Sequence, residues 1–237
     1  MPSRNAPRPG RAILGGSFNP PHTGHLRLAI EVCEALGEYV HGLDMVPCAT
    51  PPHKSLTGML PFDLRAALLE ACLHALPRIR CNRLEGERPG PSYTWDTLQD
   101  YRQANPEESL FFLLGSPDFA LLPAWRHGPE LPSLCHLLVA PRDGQTRQDF
   151  LRTARALWPE AKECAPPPFS ACSLLPPFGH PVHFLPVPWL EVSASRIRQR
   201  WMQGRNVDFL VPREALALLR EQEATVRACW QGDGETC

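Results

Sequence analysis

The sequence predicts an α/β fold in which a doubly wound parallel sheet is followed by a C-terminal helical segment. Short apolar runs typical of strands alternate with segments of helical spacing. One run, Leu-Phe-Phe-Leu-Leu at 110–114, is continuously apolar, as expected of a strand buried on both faces of a parallel sheet. The glycine-, proline- and histidine-containing turns follow the predicted strands, at the ends where ligands bind in such sheets.

Each element is predicted from its own pattern. Strands are predicted at 12–14, 39–46, 79–84, 110–114, 135–140 and 182–187. Helices are predicted at 25–36, 61–76, near 94–103, 150–157, 193–204 and 212–230. Ser92 or Thr94 can cap the third helix. On the second helix, one apolar face is predicted from Leu64, Ala67, Leu68, Ala71, Cys72 and Ala75.

The prolines of the second half predict a break in this alternation. Residues 143–181 are interpreted as a proline-rich excursion from one domain at 11–230, and 165–181 as lacking regular structure. A short linker should therefore replace 165–177 without loss of folding. Residues 1–10 and 231–237 are expected to be a disordered lead-in and tail.

Composition limits the class of protein. Of 237 residues 43% are hydrophobic and 21% charged, and the formal net charge of −1 argues against a nucleic-acid-coating surface. No apolar run approaches the ~18 residues of a membrane span, and the N-terminus lacks a secretory pattern. The nine cysteines include no Cys-x-x-Cys pair, so their spacing supports neither a metal site nor a disulfide framework. Because their number is odd and the N-terminus lacks a secretory pattern, a reducing cytoplasm is expected.

The most informative motif is a glycine-containing turn between a predicted strand and a predicted helix. Residues 15–25 read Gly-Gly-Ser-Phe-Asn-Pro-Pro-His-Thr-Gly-His. Such a turn points backbone N–H groups and the positive end of a helix at a phosphate. His22 and His25 can donate to phosphate oxygens. Neither the P-loop pattern nor Gly-x-Gly-x-x-Gly is present.

Further unusual residues follow later strands. Pro51-Pro-His-Lys places Lys54 on a stiffened loop, and Val-Ser-Ala-Ser-Arg-Ile-Arg at 192–198 opens a basic helix. The latter predicts a second anion site at a helix start, with Arg198 on the first turns. An ordinary serine cap followed by a solvated arginine face is the alternative.

These blocks together resemble the bacterial nicotinate-nucleotide adenylyltransferases, within the nucleotidyltransferases that carry His-x-Gly-His. The resemblance spans roughly residues 11–220 and adds Pro-His-Lys at 52–54, Ser-Tyr-Thr-Trp-Asp-Thr at 92–97, and Leu-Val-Pro at 210–212. It implies a Rossmann-like nucleotidyltransferase fold. The chain departs from the family at Pro117, where an acid is usual and Asp118 is one position late, and at Ala194, which replaces a serine.

The resemblance implies a set of site residues. Those with catalytic roles would be His22, His25, Lys54 and Arg198. Those that bind ATP would be Gly15, Gly16, Ser17, Phe18, His22, His25, Gly115, Ser193, Ser195 and Arg198. Those that bind the acceptor would be Lys54, Thr94, Trp125, Arg126 and Asp118.

The implied reaction transfers AMP from ATP to nicotinate mononucleotide, which gives deamido-NAD and pyrophosphate. No acidic cluster suggests a protein metal site, so Mg²⁺ is expected to arrive on ATP. The expected partners are these small molecules, without nucleic acid or membrane, and a homo-oligomer stays open. Alternatives are a related transferase acting on nicotinamide mononucleotide, pantetheine phosphate or FMN, or one with a cytidylyl donor. A catalytically silent nucleotide-binding regulator is a rival of another class.

Overall fold

A computed structural model describes residues 9–52, 56–142 and 144–231. The strands are β1 Gly10–Gly16, β2 Val40–Pro47, β3 Ile79–Cys81, β4 Leu110–Gly115, β5 His136–Ala140, β6 Lys162–Cys164, β7 Cys172–Leu175 and β8 Val182–Phe184. The helices are α1 Thr23–Leu36, α2 Phe62–Leu73, α3 Leu84–Glu87, α4 Thr94–Ala104, α5 Ser116–Ala120, α6 Arg147–Leu157, α7 Ala194–Met202, α8 Arg213–Glu221 and α9 Glu223–Trp230. Short 3₁₀ turns lie at Gly37–Tyr39, Leu122–Ala124 and Gly128–Ser133.

The strands form a mostly parallel sheet in the order β3-β2-β1-β4-β5-β8-β7-β6. The pairs β1–β4, β4–β5 and β5–β8 are parallel, whereas β7 is antiparallel to both β8 and β6. The predicted α/β fold class and its helical C-terminal segment are confirmed. In the described part of the chain, no helix is both long and apolar enough to cross a bilayer.

Residue contacts divide the chain into two compact units. In its described part, the first unit includes the chain up to Leu14 together with Glu31–Asp44 and Tyr93–Pro188. The second unit includes Gly15–Ile30, Met45–Ser92 and the chain from Trp189 onward. The first unit buries the β4 and β5 side chains, and the second packs α2 against α8.

The proline-rich stretch differs from its prediction. Residues 165–181 were expected to lack regular structure, but Cys172–Leu175 form β7 of the sheet. Leu174 is 0% exposed, and Phe169 is 7% exposed and packs edge-on against Phe111. The prolines flank the strand instead of interrupting it, so the ladder keeps its N–H donors. This stretch is therefore part of the core of the first unit.

Other elements also differ from their predictions: β3 and β8 end earlier than predicted, two helices have different bounds, and a third buries a different face. The helix predicted at 150–157 begins at Arg147, because Thr146 and Asp149 form a reciprocal capping box. The helix predicted at 212–230 is two helices that break at Gln222. On α2 the buried side chains are Arg65, Ala66, Leu68, Leu69, Cys72 and Leu73, so the predicted face is only partly right.

Candidate functional site

The turn after β1 is tightly held in the second unit. The Gly16 carbonyl accepts a hydrogen bond from the Cys48 N–H at 2.8 Å. Phe18 has a φ of +47° and a side chain that is 2% exposed. A Cβ added at Gly16 would lie 3.0 Å from the Phe18 ring. Glycine therefore lets the backbone pass close to this ring. We call residues 15–22 the phosphate loop, after the role that the sequence predicts for them.

The two histidines meet where α1 begins. Their rings stack with centroids 3.6 Å apart, and His25 also meets the edge of Phe18 at 5.0 Å. The Nδ1 atom of each ring accepts the backbone N–H of the other residue, at 3.3 and 3.4 Å. In a neutral ring Nδ1 then acts as the acceptor and Nε2 carries the proton. The pair therefore carries two Nε2–H donors close to the start of α1.

The basic helix α7 reaches the same loop. Ser193 is its N-cap, and the Ser193 hydroxyl accepts from the Arg196 N–H at 3.5 Å. Arg198 donates to the Asn19 carbonyl at 2.9 Å and to the Ser195 hydroxyl at 3.4 Å. Arg198 of α7 thus contacts the loop that leads to the histidine pair at the start of α1.

Asn19 anchors the phosphate loop from a second side, which the sequence reading did not predict. Its side-chain N–H donates to the Gly58 carbonyl at 2.7 Å, and its side-chain oxygen accepts from the Leu60 N–H at 3.0 Å. Asn19 is 6% exposed, so both of these bonds are protected from water. The side chain therefore fastens the loop to the segment that leads into α2.

The loop after β2 is shaped by Ser92. The Ser92 hydroxyl accepts from the N–H groups of Ala49 and Thr50, at 3.2 and 3.1 Å. No side chain caps α4, whose N-cap is Tyr93, so the predicted capping role of Ser92 or Thr94 is wrong. Lys54, which follows this loop, lies outside the described residues, as do His53 and Ser55.

Of the residues predicted to bind the acceptor substrate, Thr94, Trp125, Arg126 and Asp118 lie in the first unit. Thr94 is the first residue of α4, and Trp125 follows the 3₁₀ turn Leu122–Ala124. The Arg126 side chain donates to Asp96 at 3.0 Å and lies over the Tyr93 ring at 4.9 Å. The start of α4 and the segment after Leu122–Ala124 are therefore in contact.

Asp118, the acid one position later than is usual in the family, lies beside Gly115, the last residue of β4. Gly115 is the N-cap of the five-residue helix α5, and Pro117 occupies its first turn, which suits proline. Asp118 is exposed on that first turn, and a Cβ at Gly115 would lie 3.9 Å from its Oδ2. The proline therefore begins a helix here, which keeps the acid close to Gly115.

The fold and these motifs place the chain in a class. It belongs to the cytidylyltransferase-like family, whose profile matches residues 13–200. Within that class it belongs to the nicotinate-nucleotide adenylyltransferases. A relative from Pelobacter propionicus named "Probable nicotinate-nucleotide adenylyltransferase" is 35% identical over 89% of this chain and 95% of its own length. One of the same name from Syntrophotalea carbinolica is 37% identical over 84% of this chain and 89% of its own length.

A solved structure agrees on the fold. The Plasmodium falciparum nicotinic acid mononucleotide adenylyltransferase complexed with NaAD superimposes with a TM-score of 0.69 at 16% identity. The match covers 92% of this chain and 97% of that one. At this identity the likeness concerns the fold alone.

Proposed function

We propose that this chain transfers the adenylyl group of ATP to nicotinate mononucleotide, which gives deamido-NAD and pyrophosphate. The observation that carries the proposal is the network of the second unit. In it a stacked histidine pair lies at the start of α1, and Arg198 of α7 donates to Asn19 of the phosphate loop, which leads to that pair. The choice of acceptor is supported by the named relatives, which match almost the whole chain.

The chemistry requires positioning and charge neutralisation. The acceptor phosphate is already an anionic nucleophile, so no covalent enzyme intermediate or strong base is needed. One of its oxygens bonds to the α-phosphorus of ATP as the bond to the β-phosphate oxygen breaks. The leaving pyrophosphate takes that electron pair. Preorganised donors lower the barrier when they face the charge that develops on these oxygens.

Each donor receives a role in the proposal. His25 and His22 bind ATP phosphates through Nε2, with His25 at the reacting centre. The Gly15–Phe18 backbone surrounds the phosphates, and Arg198 with Ser195 holds the β- and γ-phosphates. Lys54 neutralises the acceptor phosphate.

The remaining residues recognise the two substrates at their other ends. Trp125 stacks on the pyridine, and backbone N–H groups at Thr94 and Arg126 face its carboxylate. Asp118 borders that pocket, Gly115 adjoins the nucleotide, and Ser193 holds the α7 start. These assignments rest on the family resemblance.

The metal enters the proposal as part of the substrate. Within the described ranges, no group of three or more His, Cys, Asp or Glu residues could hold a metal ion. Mg²⁺ bound to ATP phosphates keeps most of its waters and needs no protein cage, which fits this donor set. We also propose a cytoplasmic location, since the nine cysteines are odd in number and include no Cys-x-x-Cys pair.

An acceptor panel tests the proposal. Pyrophosphate release from MgATP would be measured with nicotinate mononucleotide, nicotinamide mononucleotide, pantetheine phosphate and FMN. Nicotinate mononucleotide should give the highest kcat/KM. His25→Ala should lower kcat by about 10²–10³, as expected for the loss of one preorganised donor. Pyrophosphate release that occurs only with another acceptor, or that occurs with no acceptor of the panel, would refute the proposal.

A further inference from the structure

Arg65 of α2 is a buried charge that no predicted role explains. It is 1% exposed, in the second unit. Its Nε donates to the Leu60 carbonyl at 2.9 Å, one terminal nitrogen donates to the Ser17 carbonyl at 2.7 Å, and the other reaches the Ala49 carbonyl at 3.4 Å. Its guanidinium also lies 5.7 Å from the centre of the Phe62 ring.

The three carbonyls belong to three different segments. Ser17 is in the phosphate loop, Ala49 is in the loop after β2, and Leu60 lies just before α2. The planar fork of a guanidinium directs several donors in fixed directions, which one ammonium group cannot match. A single side chain therefore joins the phosphate loop to the segment that precedes Lys54.

The contact also orients the peptide groups of the phosphate loop. In a trans peptide the C=O of one residue and the N–H of the next point in opposite directions. Because the Ser17 carbonyl points at Arg65, the Phe18 N–H points away from Arg65. Because the Gly16 carbonyl points at Cys48, the Ser17 N–H points away from Cys48. The Ser17 and Phe18 N–H groups are therefore turned away from Cys48 and Arg65, and successive N–H groups of a turn can bind an anion.

Burial of this charge is costly, and its surroundings offset part of the cost. Burial lowers the pKa of Arg65, whereas Cys48 and Glu85 raise it. Glu85 is 7% exposed and its carboxylate also accepts from the Ala49 N–H at 3.4 Å. An arginine and a glutamate therefore both hold Ala49, one at its carbonyl and one at its N–H.

We propose that Arg65 is a positioning residue for ATP, which it serves by fixing the Ser17 peptide of the phosphate loop. The proposal rests on the proposed function for its kinetic consequence, but its effect on ATP binding does not depend on the acceptor. Arg65 contacts only protein in this role, and the loop N–H groups that it orients contact the phosphates.

Arg65→Lys tests the proposal because it keeps the charge and removes the fork. The Kd of MgATP, measured by calorimetry, should rise about tenfold or more, and kcat should fall at least as much, since small misplacements have large effects. The KM of nicotinate mononucleotide should change far less. A smaller folded fraction would instead lower the apparent kcat and leave Kd unchanged.

Amide hydrogen exchange shows the cause directly. In Arg65→Lys the Cys48 and Leu60 amides, which bond to Gly16 and Asn19, should exchange faster, while the β1 amides stay protected. Arg83→Lys is the matched control, since Arg83 is 37% exposed and pairs with Glu70 at 2.7 Å and with Asp63 at 3.3 Å. It should leave MgATP binding and these amides as in the wild type.

The outcomes separate the two proposals. Wild-type MgATP binding in folded Arg65→Lys, with unchanged exchange, would overturn the role of Arg65. Should Arg65→Lys not fold, Arg65→Gln, which buries no charge, is judged by the same Kd and exchange criteria. A wild-type protein that binds MgATP but ignores nicotinate mononucleotide would refute the proposed function and leave the Arg65 test valid.

Discussion

Acidification from pH 7 to pH 5 should destabilise this protein through a buried histidine cluster in the first unit. His136 Nδ1 lies 3.1 Å from His183 Nε2, and His183 Nδ1 lies 2.7 Å from the Ser173 hydroxyl. The pKa of His136 is lowered to about 3, mainly by burial and then by the charges of His183, His180 and Arg102. Burial lowers the pKa of His183 to about 4. Burial and then Arg102 lower the pKa of His180.

The sign follows from proton linkage. An unfolded histidine has a pKa near 6.5, so below that pH the unfolded chain binds protons that the folded chain does not bind. The contribution of each histidine to the free energy of unfolding is therefore complete above about pH 6.5. It decreases as the pH falls toward the pKa of the folded state. Between pH 7 and pH 5 each of His136 and His183 should cost about 2 kcal/mol. The two histidines together should lower the free energy of unfolding by about 4 kcal/mol, a large part of the about 5–15 kcal/mol that is typical of native proteins.

Urea unfolding at the two pH values measures this cost. With a slope of about 3 kcal/mol per M, the midpoint should fall by about 1 M. Replacing both rings, in His136→Gln/His183→Gln, should remove most of that difference. Val182→Ala, which truncates a fully buried neighbour on β8, should lower stability equally at both pH values. An undiminished pH effect in the double variant would refute the reasoning.

Three other outcomes are expected. Arg198→Lys should bind ATP markedly less well although its charge is kept, because a point donor replaces a guanidinium fork, and near-normal turnover would place Arg198 outside the site. Replacing residues 165–177 by a Gly/Ser linker should abolish soluble folding, since it removes β7 with the buried Leu174, and circular dichroism of a well-folded product would contradict this. Nicotinate mononucleotide should exceed the nicotinamide form by at least tenfold in kcat/KM, because an amide would leave a buried donor of the proposed pocket unpaired, at a cost of about 1–3 kcal/mol. Equal use of both would exclude a donor-lined pocket, and Asp118→Ala restoring the discrimination would then identify Asp118 as the group that accepts from the amide.

The sequence predicted what is encoded locally. The glycine turn between β1 and α1 and the serine-capped start of α7 are contiguous patterns, so their types and places were correct. The α/β class followed from the alternation of these elements. The roles assigned to the site residues are still predictions.

What the sequence did not predict depends on distant contacts. Arg65 donates to Ser17 across 48 positions, and its acceptors are backbone carbonyls, which no residue type reveals. Because α2 is apolar around much of its circumference, its pattern did not show which face carries Arg65. The prolines near β7 suggested irregular structure, although they lie on either side of the strand.

Adenylyl transfer itself is tested most directly with ATP labelled at the α-phosphate. Incubated with the protein, Mg²⁺ and nicotinate mononucleotide, the label should move into a dinucleotide that co-migrates with deamido-NAD. Unlabelled pyrophosphate should appear in equal amount. Label that stays in ATP, appears as free AMP, or moves only when another acceptor is supplied would contradict the proposed function.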